Sequence, residues 1–190
     1  LDGADAAVAP FLNRGRGLIV ASAHIGLMFA GPLILELLGF DNKWLASVPS
    51  VSTVGFAKKL ISTSDQTEGQ VVRKSMRALA KGQVLTVAVD GTMSMSAPRV
   101  DFANQSITYS SFAARLSYKQ QAPSVFGVPR WEGDRIRIRI RSLPDPMHAT
   151  DLSKFLDDWR SAYLGHIAEM LQDAPENLRL SGGLWRDIRQ

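Results

Sequence analysis

The sequence has no cysteine. That absence excludes a disulfide scaffold, a zinc–thiolate centre, an iron–sulfur cluster and a cysteine nucleophile. Histidine is scarce too: His24, His148 and His166 are the only three, too far apart for a metal centre built mainly on imidazole. With 15 Gly and 9 Pro, the chain is neither low-complexity nor collagen-like. The longest apolar stretch, Leu27 to Phe40, carries no charge before Glu36 but falls short of the roughly 20 residues a bilayer span needs. It reads as a buried helix. No signal peptide is visible at the start, and the absence of an initiating Met leads us to expect a processed or excised piece of a longer protein, with any membrane anchor outside it. A glycine-rich phosphate loop is also missing, because Gly15-Arg16-Gly17 precedes a strand and not a helix.

What is present is ordinary globular composition. The 190 residues are 45% hydrophobic and 21% charged, enough for one domain spanning 1–190 with a real core. A net charge of +4 and a pI near 9.6 favour anions: phosphates, acidic carrier proteins or an anionic membrane surface. The excess is too small to indicate nucleic acid.

Leu18 to Ala21 is a short continuous apolar run, as in a strand buried on both faces. Ser22 to Gly26 then turns into a long apolar helix ending near Gly39, with Pro32 inside it to kink or break it. Further strands are expected at Lys43 to Val48, Val84 to Val89 and Ser124 to Val128. Arg135 to Arg141 sets Ile136, Ile138 and Ile140 against four Arg, the pattern of a half-buried antiparallel strand at or near an edge. Helices are expected at Val54 to Ser62, Gln70 to Lys81, Thr108 to Gln120 and Leu152 to Gln172. Met93 to Ser106 reads as loop with a short extended piece. Apolar strands alternating with amphipathic helices predict an α/β fold, a single domain with a central, mixed but mostly parallel sheet flanked by helices.

Two polar elements follow buried strands, at the edge where open α/β sheets place their ligands. One is His24, readable either as a hydrogen-bonded residue of a strand–helix turn or as a general base. The other is Asp90-Gly91-Thr92, readable as a plain turn or as a substrate contact. His166 reads as packing, and Trp44, Trp131, Trp159 and Trp185 as core or rim. Arg135, Arg137, Arg139 and Arg141 read as an edge-protecting stripe rather than a binding site.

The block Gly15 to Gly26, reading Gly-Arg-Gly-Leu-Ile-Val-Ala-Ser-Ala-His-Ile-Gly, resembles the catalytic segment of the lysophospholipid acyltransferase-like superfamily. The branch it is most similar to is the bacterial lipid A biosynthesis (lauroyl/myristoyl) acyltransferases. Val87 to Thr92, Phe112 to Leu116 with Ala122 to Val125, and Pro175-Glu176-Asn177 with Leu184-Trp185-Arg186 resemble that family's later blocks in the same order. The likeness runs from about Asn13 to Arg186.

The resemblance implies acyl transfer from a thioester, on acyl carrier protein or CoA, to a hydroxyl or amine. No cofactor beyond that acyl thioester is implied, although a phosphopantetheine carrier is. His24 would be the base, and amides near Gly26 or in the Asp90–Thr92 turn the oxyanion donors. One departure stands out. The family's acid, five residues after the His, is Phe29 here, so Asp90 is the replacement partner to test, Glu36 being too far along its helix. Met93 replaces the arginine expected after Gly91-Thr92, against a glycerol-3-phosphate acceptor. Phe29, Met93 and neighbouring Leu27, Met28 and Met95 would line an acyl pocket. Arg16, with Arg14, Lys58, Lys59, Arg73, Lys74 and Arg77, would surround its entrance and dock a carrier or an anionic headgroup. The expected location is cytoplasmic or peripheral, at the inner face of the cytoplasmic membrane. The rival reading is a non-catalytic or repurposed acyl- or lipid-binding domain that lost the acid. A generic nucleotide-binding domain is a third reading, weakened by the missing phosphate loop.

Overall fold

A computed structural model describes residues 11, 14–47, 58–90 and 97–178. Strand β1 is Leu18–Ser22, and β2 (Asn42–Ala46), β3 (Leu60–Ser62), β4 (Val84–Ala88), β7 (Ser124–Glu132) and β8 (Arg135–Ser142) join it in one sheet of order β3-β2-β4-β1-β7-β8. The first five strands are mutually parallel and β8 runs antiparallel to β7. Between β4 and β7 a separate hairpin forms from β5 (Arg99–Phe102) and β6 (Gln105–Thr108). The fold is the α/β domain with a central, mostly parallel sheet that the alternation predicts.

The helices are α1 (Ala30–Leu37), α2 (Glu68–Ala80), α3 (Phe112–Gln120) and α4 (Leu152–Asp173). Alternate residues of β1 serve opposite faces of the sheet, because side chains in a strand alternate. Ile19 and Ala21 belong to a large core that includes Val71 and Leu79 of α2, Ala113 and Leu116 of α3, and Phe155, Trp159, Tyr163 and Ile167 of α4. Leu18 and Val20 pack instead with Leu35 of α1 on the other face. A strand buried on both faces cannot show polar alternation, which is why Leu18 to Ala21 reads as an unbroken apolar run.

Three expectations need correction. The helix after β1 starts only at Ala30, because residues 24–29 form successive turns. Pro32 therefore falls in its first turn, where a missing N–H goes unnoticed and no kink follows. The helix expected at Val54 to Ser62 does not reach Ser62: Lys58 is 3₁₀-helical, Leu60–Ser62 pairs in parallel with β2, and Val54 to Ala57 lie outside the described residues. Thr108 ends strand β6, and α3 begins at Phe112. Strand β8 does lie at the sheet edge, its four Arg exposed. Val48, Met95 and the tail with Leu184-Trp185-Arg186 lie outside the described residues.

Candidate functional site

Strand β1 delivers His24 to the C-terminal edge of the sheet. Its neighbour β4 runs in parallel register, Ser22 opposite Ala88, so the residues just past both strands meet. The backbone N–H of His24 donates to Asp90 Oδ1 at 3.1 Å and to Oδ2 at 3.0 Å. The imidazole Nδ1 lies 3.2 Å from Oδ2. Both residues are buried, His24 at 8% exposure and Asp90 at 3%. A third donor comes from the far end of the chain: the Tyr163 hydroxyl on α4 lies 2.9 Å from the Ser22 carbonyl and 3.3 Å from Asp90 Oδ1. Burial, with the adjacent Asp90 charge and hydrogen bond, holds the Tyr163 pKa well above its ordinary value, so this hydroxyl stays a donor.

With Asp90 accepting from Nδ1–H, the neutral imidazole leaves Nε2 as an acceptor. Nε2 has no partner among the described residues. The ring is thus fixed in orientation, able to receive a hydrogen bond from a hydroxyl or amine.

The turn that carries His24 is held by its backbone. Gly26 has φ +53°, and a Cβ there would lie 2.6 Å from the Pro129 carbonyl oxygen, so only glycine fits. Its N–H donates to the Asn177 carbonyl at 2.8 Å, and that of Leu27 to the Pro129 carbonyl at 2.8 Å. This corrects the expectation of oxyanion donors near Gly26. The amides of Gly26 and Leu27 are engaged within the fold.

Phe29 is also corrected. It is 46% exposed, packed edge-to-face on Trp44 with ring centroids 6.0 Å apart, and does not form a buried pocket wall. Arg16 precedes β1, at the opposite end of the strand from His24, with its guanidinium 3.6 Å from the Met147 sulfur. Five extended residues at about 3.3 Å each separate the two ends, so Arg16 is no part of the His24 site. Arg14 pairs with Asp145 at 2.6 Å and Lys59 with Glu36 at 2.6 Å, so these cations serve surface ion pairs. Gly91, Thr92 and Met93 lie outside the described residues. No group of His, Asp and Glu suited to a metal ion occurs among the described residues. No described helix is long and apolar enough to cross a membrane.

Sequence reasoning missed Tyr163. Its signal was the stripe Phe155, Trp159, Tyr163, Ile167 and Met170, all buried, in which Tyr163 is the one member with a hydroxyl. It also missed Arg130, an arginine buried to 3% exposure in strand β7.

No family model matches the chain. Among curated proteins, the chain is 47% identical over 173 residues to the Vi polysaccharide export protein VexE of Salmonella typhi. The match takes in 91% of this chain but only 26% of that relative, so the chain spans about a quarter of its length. This finding overturns the expectation of acyl transfer, and with it the reading of the chain as an acyltransferase enzyme of lipid A type. The name does not bear on the superfamily resemblance of the sequence blocks. The similarity of this chain is to a protein of polysaccharide export.

Proposed function

We propose that this chain is a glycan-contacting unit of a polysaccharide export apparatus, in which His24 holds a sugar hydroxyl without making or breaking a covalent bond. The observation that carries the reading is the 47% identity to a polysaccharide export protein across 91% of the chain. The geometry agrees chemically: a polysaccharide is a dense array of O–H donors, and an imidazole fixed through Nδ1 by Asp90 offers Nε2 as an oriented acceptor. The net charge of +4 suits work against an anionic surface, for which we place the unit at the inner face of the cytoplasmic membrane.

Grafting provides the test. The matching segment of the Salmonella protein is replaced by this chain, and surface polysaccharide is measured by antibody binding on intact cells. The wild-type graft is expected to keep polysaccharide at the surface and the His24→Ala graft to reduce it severalfold. A wild-type graft that accumulates normally yet leaves the surface bare overturns the reading.

A further inference from the structure

Helix α1 is apolar on its outer side as well as its inner one. Its inner side is Gly31, Ile34 and Leu35, all buried, and a Cβ on Gly31 would lie 3.6 Å from the Pro129 ring. Leu33, 40% exposed, and Leu37, 76% exposed, stand one turn apart on the outer side. Phe29, against Trp44, continues the row at the same spacing. A surface helix normally turns a charged face to water, whereas a helix apolar all round belongs in apolar surroundings on both sides. The one charged residue of α1 is Glu36, and Lys59 matches it at 2.6 Å.

The apolar surface continues onto the sheet. Gly127, Pro129 and Trp131 alternate along β7 and so share the face that α1 covers. A Cβ on Gly127 would meet Ile140 and Ile138, which puts the isoleucines of β8 on that face too. Trp131, opposite Ile136, is 47% exposed. Helices α2, α3 and α4 all pack on the other face, so the described residues place α1, with Phe11 and Phe40, on this one. Lysines rim it: Lys59 reaches Glu36, and Lys43 Nζ donates to the Lys58 carbonyl at 3.2 Å. Against Glu36 and Asp41, these three lysines leave the rim net positive.

We propose that the α1 face rests on an anionic lipid bilayer, with Leu33, Leu37 and Trp131 entering the headgroup layer and Lys43 and Lys58 over lipid phosphates. Aliphatic side chains, a tryptophan at their border and a lysine rim are the features of a surface seated at a membrane interface. A protein partner suits the rim less well, since lysine is depleted in protein interfaces. A second copy would bring two lysine rims together across a twofold axis. At eight residues and about 12 Å, α1 lies along the bilayer and does not enter its core. The Pro129 carbonyl, on the same strand as Trp131, accepts from Leu27, so the face borders the turn that carries His24. This inference deepens the membrane-side placement proposed above and rests on it.

The 190-residue chain is sedimented with vesicles of two parts phosphatidylcholine to one part phosphatidylglycerol, and with phosphatidylcholine alone. It is expected to bind the mixed vesicles, and the neutral ones severalfold more weakly. Leu37→Glu should weaken binding by about tenfold or more, since burying a leucine is worth that factor. Met147→Glu is the control: it makes the same charge change at another exposed apolar residue, beside Arg16 and in a turn that packs on α3. Met147→Glu should bind within about twofold of wild type. Vesicles with brominated acyl chains should quench part of the tryptophan emission, and Trp131→Phe should remove most of that quenching. Absence of vesicle binding overturns the proposal, as do equal losses in the two Glu variants or quenching that survives Trp131→Phe. A dimer in light scattering that Leu37→Glu dissolves assigns the face to a second copy and overturns it as well. A working graft without vesicle binding removes this face alone, and vesicle binding beside a failed graft removes the export reading alone.

Discussion

Asp90 accepts from both the backbone and the side chain of His24, through the N–H at 3.0 and 3.1 Å and the ring Nδ1 at 3.2 Å. A single carboxylate therefore fixes where the residue sits and which way its ring faces. Replacing Asp90 by Asn keeps one acceptor for the His24 N–H and turns an amide N–H₂ toward Nδ1. The ring should then adopt the other tautomer, with the proton on Nε2. We expect Asp90→Asn to shift the His24 nitrogen signals in ¹⁵N NMR accordingly. The loss of charge-assisted hydrogen bonds should also lower stability, by about 1.5–3 kcal/mol in urea unfolding. An unshifted imidazole spectrum would refute the assigned hydrogen bond.

Tyr163 and Tyr109 predict an alkaline limit. Burial raises both phenol pKa values, Tyr163 further through the Asp90 charge beside it. For a group whose folded pKa is raised, the folded state holds the proton after the unfolded chain has released it. Stability is therefore unaffected below the ordinary phenol value of about 10 and falls as pH rises above it. Urea unfolding from pH 8 to 11.5 should show a plateau and then a decline. Tyr163→Phe should make that decline shallower while costing about 1 kcal/mol on the plateau from its lost hydrogen bonds.

Gly26→Ala and Gly39→Ala separate two kinds of strain. Both glycines have positive φ, +53° and +83°. A Cβ on Gly39 meets nothing within 4 Å, so its variant carries only the backbone penalty, about 1–2 kcal/mol. At Gly26 the Cβ would also meet the Pro129 carbonyl, and the variant should lose distinctly more stability and perturb the His24 NMR signals. Equal losses in the two variants would contradict the described turn.

Phe29→Glu should be nearly neutral. The substitution forfeits the edge-to-face contact with Trp44, worth about 0.5–1.5 kcal/mol. It places an acid at the N-cap of α1, where the helix dipole returns about 0.3–1 kcal/mol. A carboxylate at a position 46% exposed is not desolvated. The thermal midpoint is expected to change by only a few degrees, and a collapse of the fold would show that Phe29 is more enclosed than described.

The strands were legible wherever one physical constraint dominated. β1 and β4 are buried on both faces and read as apolar runs, while β8 alternates because only one face is covered. The helix expected at Val54 to Ser62 was drawn too far because the three strand residues at its end, Leu60–Ser62, are too few to show a period. His24 and Asp90 could be paired from sequence, since each follows a buried strand and parallel neighbours bring their ends together. Tyr163 could not, because its hydroxyl reaches the site from a helix more than seventy positions beyond Asp90, and a helical stripe does not reveal which strand it covers. Arg130 was hidden by its neighbours, for an arginine near a strand end normally reads as solvated.

Strand β1 sits between β4 and β7 and pairs with nothing near it in sequence: Leu18 faces Val84, and Ile19 faces Ser124, more than half the chain away. During synthesis the most apolar strand emerges first and stays unpaired while its partners are made, on the order of 10 s at ordinary elongation rates. Closing such distant pairs is slow, whereas the β7–β8 and β5–β6 hairpins can form locally. Folding should therefore run outward-in, with the His24–Asp90 contact among the last to assemble. Until then, Leu18 to Ser22 is the segment most exposed to aggregation and most in need of a chaperone.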